Sequence, residues 1–122
     1  MNAIRVIVAD DETLLRDALE AILNLQPDIE VVAVASDGVE AIAQITHHKP
    51  DVAVLDLQMP GADGIEVTEK VSAASPSTRC MILTSHARPG YLKRSLAAGA
   101  RSFLPKTTSA DGLAKIIRRV HE

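Results

Sequence analysis

Five times along the chain, a short apolar run of strand length gives way to a segment whose apolar residues recur at helical spacing. The first run, Ile4-Arg5-Val6-Ile7-Val8-Ala9, is rich in β-branched residues, which suit a pleated surface, and it stops at Asp10-Asp11. From Glu12 to about Gln26, Leu15, Leu19, Ile22 and Leu25 share one helical face before Pro27 interrupts. Val31 to Ala35 reads as a second strand. Asp37 and Glu40 have the spacing of a capping box, and Val39, Ile42 and Ile45 continue as a helix. Asp51 to Leu55 reads as a third strand, ending at Asp56. Met59-Pro60-Gly61-Ala62-Asp63-Gly64 is dense in turn formers and predicts a loop, with a helix from about Ile65 to Ala73. Cys80 to Leu83 is a fourth strand, ending at Thr84-Ser85. Pro89 suits the first turn of the next helix and Gly99 its stop. Ser102-Phe103-Leu104 is a short fifth strand, followed by Pro105-Lys106. Ser109 can cap a last helix carrying Leu113, Ile116, Ile117 and Val120.

A βα unit repeated five times predicts an α/β fold, a (βα)5 doubly wound parallel sheet with helices on both faces. Strands buried on both faces read as unbroken apolar runs, as these do. The 122 residues suffice for one domain with one core and show no second domain, linker or repeat of solenoid type. Aromatics are only 2% of the chain, so that core must be aliphatic. A net charge of −3 gives no general electrostatic reason to bind nucleic acid. Basic residues gather late, at Arg101, Lys106, Lys115, Arg118 and Arg119, and read as a solvated helix face plus one special lysine. The lone Cys80 excludes a disulfide framework or thiolate cluster within one chain and reads as a small core residue in a reducing compartment. The start lacks the pattern of a signal peptide, and no apolar run approaches the roughly 20 residues that span a bilayer. A cytoplasmic protein without membrane contact is expected.

The polar residues fall where strands end. Asp10 and Asp11 close the first, Asp56 the third and Thr84 and Ser85 the fourth, while Lys106 lies just past the fifth. In an open parallel sheet these ends share one edge, and ligands bind there at the switch point. By analogy with flavodoxin-like folds the strand order is 2-1-3-4-5, which makes strands one and three neighbours at that point. Each residue alone has a bland reading: a turn or cap aspartate, an N-cap pair, a surface lysine. Their joint placement at four strand ends favours a site.

Three converging carboxylates repel unless some are protonated or a cation is bound. Hard oxygen donors with few other ligands suit Mg²⁺, which favours phosphate-bearing partners. An aspartate can act as nucleophile and form an acyl phosphate. Lys106 would offer a compact positive charge to a phosphoryl oxygen, and the Thr84 hydroxyl a hydrogen bond. Such chemistry is mainly positioning and electrostatics.

Taken together, Asp10-Asp11, Asp56, the Met59-Pro60-Gly61-x-Asp63-Gly64 loop, Thr84-Ser85 and Lys106 resemble the receiver domain of two-component response regulators, over essentially the whole chain. Ala98 to Lys106 is most similar to the NarL/FixJ subgroup, and Ala87-Arg88-Pro89-Gly90-Tyr91 is similar to the DesR type of membrane-lipid regulators. The resemblance implies that Asp56 takes phosphate from a sensor histidine kinase or a small donor. It implies that Asp11 and Asp56 bind Mg²⁺, with Asp10 acting partly through water and Gln58 lending its backbone carbonyl. It implies that Thr84 and Lys106 stabilise the phosphoryl group, and that Thr84 and Phe103 switch together, although a plain core phenylalanine is the alternative for Phe103. A homodimer on phosphorylation is expected, through aliphatic faces of the first and last helices or the fourth-helix/fifth-strand face. Such regulators usually continue past a position like His121-Glu122 into a helix-turn-helix domain. Residues 1–122 are thus either the receiver of a longer parent that controls transcription, which is the favoured expectation and confines DNA binding to the missing part, or a stand-alone receiver.

One departure is that Pro105 precedes the lysine and Thr107 follows, where many receivers place proline directly after it. Gln58 and His86 fall near the phosphorylation site, where they would set phosphate lifetime or be plain loop residues. His47, His48 and His121 read as surface residues. Two other classes compete. Phosphatases of the haloacid dehalogenase type also form an aspartyl phosphate, but carry a second aspartate two residues later, where this chain has Gln58. A binding module that works without phosphorylation would need none of these residues. A nicotinamide or flavin enzyme is disfavoured because no G-x-G-x-x-G follows the first strand.

Overall fold

The computed structural model describes residues 2–86 and 88–122. Ten elements alternate: β1 (Ile4–Ala9), α1 (Thr13–Asn24), β2 (Ile29–Ala35), α2 (Gly38–His48), β3 (Val52–Asp56), α3 (Gly64–Ala74), β4 (Arg79–Thr84), α4 (Pro89–Ala98), β5 (Ser102–Pro105) and α5 (Ala110–His121). The five strands form one parallel sheet in the order β2-β1-β3-β4-β5, the flavodoxin-like arrangement expected.

Side chains alternate across the sheet and divide the core into two faces. Val6, Val8, Val52, Val54, Met81 and Leu83 point to the face covered by Leu23 of α1 and Leu113, Ala114 and Ile117 of α5. Ile7, Ala9, Ala53, Leu55 and Cys80 point to the other, against Ala41 and Ile45 of α2 and Val67 and Val71 of α3. A smaller cluster at the α4 end joins Leu57, Ile65, Ile82 and Ala100, with Tyr91 and Phe103 packed on it. Cys80 is a buried core residue whose thiol is pushed up to about 11 by burial, offset in part by a hydrogen bond with Thr68.

Local signals behaved unevenly. Pro89 opens α4 and Gly99 closes it in the left-handed region at φ 106°. Ser109 caps α5 by accepting the Gly112 N–H at 3.0 Å. Asp37 accepts the Glu40 N–H at 2.7 Å, but the Glu40 carboxylate turns to the Ser36 hydroxyl instead of completing the box. The reciprocal capping box lies at the start of α3, between Asp63 and Glu66. In α1 the helix stops at Asn24, so Leu25 is 80% exposed and Leu23 takes the buried place.

Among the described residues no helix is long and apolar enough to cross a membrane. His47 is exposed, as expected; His48 and His121 are half-buried. The His121 carbonyl accepts a hydrogen bond from Arg79 at 3.3 Å. Arg118 is more than a solvated basic residue: its guanidinium grips both Asp28 carboxylate oxygens, at 2.7 and 2.9 Å, and Gln26 Oε1 at 2.7 Å, tying α5 to the α1–β2 turn.

Gly64 begins α3 directly against the end of β3. A Cβ there would sit 2.6 Å from the Asp56 carbonyl oxygen and 3.2 Å from Leu57 Cα, both backbone atoms that cannot step aside. Gly64→Ala is therefore expected to destabilise the domain by about 1–3 kcal/mol in urea unfolding. Gly90→Ala, whose Cβ meets nothing within 4 Å, should stay within about 0.5 kcal/mol of wild type.

Candidate functional site

Parallel pairing places the ends of β1, β3 and β4 side by side. Ala9 pairs with Leu55 and Asp56 with Leu83, so Asp10 and Asp56 leave adjacent strands at the same level. The Asp10 N–H donates to the Ala35 carbonyl at 3.0 Å, and Asp10 Oδ1 accepts the Glu12 N–H at 2.8 Å, which turns the chain into α1. Arg16, one helical turn on, donates to the Asp10 carbonyl at 2.9 Å. Across the sheet the Lys106 N–H donates to the Thr84 carbonyl at 2.9 Å and fixes where the lysine leaves β5.

Asp10, Asp11 and Asp56 each bring a carboxylate oxygen to within 4.8 Å of the others. Asp10 and Asp56 are 1% and 4% exposed, whereas Asp11 faces solvent. Lys106 Nζ reaches into the group, 3.2 Å from Asp56 Oδ2 and 3.3 Å from Asp10 Oδ2. Its shortest contact is with Glu12 Oε1, at 2.8 Å. Among the described residues Asp56 Oδ1 accepts one long hydrogen bond, 3.4 Å from the N–H of Gln58, a residue exposed to solvent. Thr84 is buried, and its hydroxyl is engaged by the next loop: it accepts the His86 N–H at 2.9 Å and donates to the His86 carbonyl at 3.2 Å. His86 itself is exposed. Phe103 lies on β5, half-buried against the α4-end cluster and apart from the carboxylates.

The electrostatics follow from burial. Desolvation pushes the Asp56 carboxyl up to about 6, with the Asp10 charge adding to the rise and Lys106 opposing it. Burial alone would pull the Lys106 ammonium down; the hydrogen bond to Glu12 and the charges of Asp56 and Asp10 outweigh it and hold the ammonium above its ordinary value. Among the described residues Lys106 thus faces three carboxylates, Asp10, Glu12 and Asp56, with Asp11 beside them. Asp10 Oδ2 is buried, meets Lys106 only as an ion pair and accepts no hydrogen bond. An orphaned buried carboxylate oxygen beside two further carboxylates is the donor set of a hard divalent cation, so the residues present fit Mg²⁺.

Of the residues picked out from strand ends, Asp10, Asp11, Asp56 and Lys106 meet in space, while the Thr84 hydroxyl is engaged by the His86 backbone and Ser85 is exposed. Glu12 was missed, being read only as the opening of a helix. Its position directly after Asp10-Asp11 was the available signal.

The family model for the response regulator receiver domain matches residues 6–118. The chain belongs to this family. The receiver is 40% identical over 119 residues to the oxygen regulatory protein NreC of Staphylococcus epidermidis, covering 97% of this chain and 55% of NreC. It is 37% identical over 117 residues to the transcriptional regulatory protein DesR of Bacillus subtilis, covering 96% of this chain and 58% of DesR. The receiver thus spans a little over half the length of these curated relatives. The signal receiver domain of the response regulator NarL of Mycobacterium tuberculosis superposes with a TM-score of 0.96 at 34% identity, covering 99% of this chain and 98% of that one. The NarL/FixJ resemblance agrees with these relatives. In the DesR-like run, Ala87 lies outside the described residues.

A carboxyl whose folded pKa exceeds its unfolded value favours the folded state when protonated. That contribution is complete below the ordinary value of 3.8 and is lost as pH rises through about 6. Without divalent ions the contribution of Asp56 to stability is therefore expected to fall between those limits. Melting curves in a chelator should show this fall for wild type, and a much shallower fall for Asp56→Asn.

Proposed function

We propose that this receiver accepts a phosphoryl group on Asp56 with Mg²⁺ bound beside it, and that the resulting change in charge switches its surface. The observation that carries the reading is the meeting of Asp10, Asp11 and Asp56 with Lys106 Nζ 3.2 Å from Asp56 Oδ2. In the reaction an Asp56 oxygen forms a bond to phosphorus while the bond from phosphorus to the donor breaks, its electron pair leaving with the donor. Asp56 Oδ1, held only by the long contact with Gln58, is the oxygen free to attack. Asp10, Asp11, Asp56 and the Gln58 backbone carbonyl would hold the ion, which when bound neutralises charge on the transferring group. Lys106 pairs with a phosphoryl oxygen, and Thr84 releases the His86 backbone to donate to another. The shift of Thr84 is answered by Phe103 on the adjacent strand, where the small cluster under α4 can repack. Gln58 and His86, both exposed at the rim, tune how long the phosphate lasts.

The donor is a sensor histidine kinase, a cytoplasmic encounter, and the parent protein carries a C-terminal helix-turn-helix DNA-binding domain beyond this receiver, residues 1–122. The relatives named as regulatory proteins, roughly twice as long, support that reading. Activation acts through a homodimer, for which α1 and α4 supply candidate faces: Leu14 of α1 and Leu25 just past its end are 85% and 80% exposed, and Leu92 and Leu96 of α4 are also exposed. The domain assists its own phosphotransfer and is no independent enzyme; an aspartyl-phosphate phosphatase is disfavoured because Gln58 stands where its acid/base aspartate would be.

Intact-mass measurement with acetyl phosphate and Mg²⁺ is expected to show one added phosphate on wild type and none on Asp56→Asn. Chelating the metal should abolish the addition. Equal labelling of both proteins would remove Asp56 from its role. Sedimentation with beryllofluoride and Mg²⁺ should show a shift toward dimer; an unchanged mass at all concentrations would exclude the dimer switch.

A further inference from the structure

Glu12 occupies the N-cap position of α1 but caps nothing, since its side chain accepts no backbone N–H. The turn into α1 is instead secured by Asp10 Oδ1. The one side chain that Glu12 engages among the described contacts is Lys106, at 2.8 Å. That is closer than either Asp56 Oδ2 or Asp10 Oδ2 comes to the same nitrogen. The Glu12 side chain is 63% exposed and that of Lys106 14%, so the pair spans the mouth of the site.

We propose that Glu12 is a positioning residue that slows phosphorylation of Asp56 by competing with the incoming phosphoryl group for the ammonium of Lys106. The inference rests on Asp56 being the phosphoacceptor. An ammonium has three donors, of which one goes to Glu12 at 2.8 Å, while Asp56 and Asp10 are held as ion pairs at 3.2 and 3.3 Å. As the Asp56–phosphorus bond forms and the phosphorus–oxygen bond to acetate breaks, with the electron pair departing on acetate, the phosphoryl oxygens require that same ammonium. The lysine must then loosen its hold on Glu12. The Glu12 carboxylate also adds one negative charge at the rim crossed by an anionic donor. Glu12→Gln removes that charge at nearly constant size.

The test compares wild type with Glu12→Gln and Glu12→Ala. The first readout is the rate of mass gain from acetyl phosphate with Mg²⁺. The second, which involves no turnover, is the affinity for beryllofluoride with Mg²⁺, followed by NMR titration. Both variants are expected to phosphorylate about two- to fivefold faster and to bind beryllofluoride tighter by a similar factor, the range open to a partly exposed ion pair. The gains should shrink near 1 M salt, where the screening length is about 3 Å. Unchanged values, slower phosphorylation, or opposite effects of the two variants would overturn the proposal. Phosphate addition to Asp56→Asn is the separate control: if that variant is labelled like wild type, the phosphoacceptor assignment fails, whatever Glu12 does.

Discussion

Carboxylates forced together at the C-terminal edge of the sheet are the constraint on which the rest of the receiver depends. Asp10 and Asp56 are almost wholly buried, and Asp11 and Glu12 stand beside them. Against these four negative groups the fold supplies one ammonium, Lys106. Repulsion between the buried pair, Asp10 and Asp56, is strong because little water screens it. The charge is relieved by protonation of Asp56 or by a bound cation, and the residues present fit the cation. A group whose ground state is unbalanced can be shifted by a single covalent event, and this makes the arrangement suited to signalling.

The parallel sheet both creates that crowding and offers a path away from it. Strand ends are brought level by the register of β1, β3 and β4, so acidic residues far apart in sequence cannot avoid one another. Thr84 sits at the same level on β4, its carbonyl bonded to the Lys106 N–H and its hydroxyl to the His86 backbone. It is thus joined both to the lysine that faces the carboxylates and to the loop leading to α4. Beside it, β5 holds Phe103 on a small cluster with Tyr91 and Ile82. The coupling proposed between Thr84 and Phe103 needs no long-range wire, only two packings of similar energy.

Most of the fold was legible because apolar period is a physical record of burial. Runs such as Val52-Ala53-Val54-Leu55 are buried on both faces and could only be central strands. What failed was finer. The period in α1 pointed to Leu25, yet the helix closes at Asn24, whose side chain accepts the Val31 N–H at 2.8 Å. Where a helix ends depends on such tertiary partners, which spacing does not encode. The capping box was sought at Asp37 and found at Asp63, because Ser36 competes for Glu40 and no such rival engages Glu66 in the described contacts. In the site, residues at strand ends were readable from topology alone. Glu12 was not, since its partner lies 94 residues away and is set by how far a lysine reaches across the edge.

The same geometry separates roles that the residue types leave equal. Three aspartates meet, and any carboxylate could in principle attack phosphorus. Asp10 has Oδ1 fixed by the Glu12 N–H at 2.8 Å and Oδ2 buried against Lys106, so neither oxygen can turn toward a donor. Asp11 is exposed, and an oxygen bathed in water gives up little when it binds a cation. Asp56 alone combines a buried position, one oxygen oriented by the ammonium at 3.2 Å, and a second oxygen restrained only by a 3.4 Å contact to an exposed loop. Orientation through one oxygen with freedom in the other is what in-line transfer asks of a nucleophile. The proposed division of labour among three identical side chains therefore follows from which hydrogen bonds each has already made.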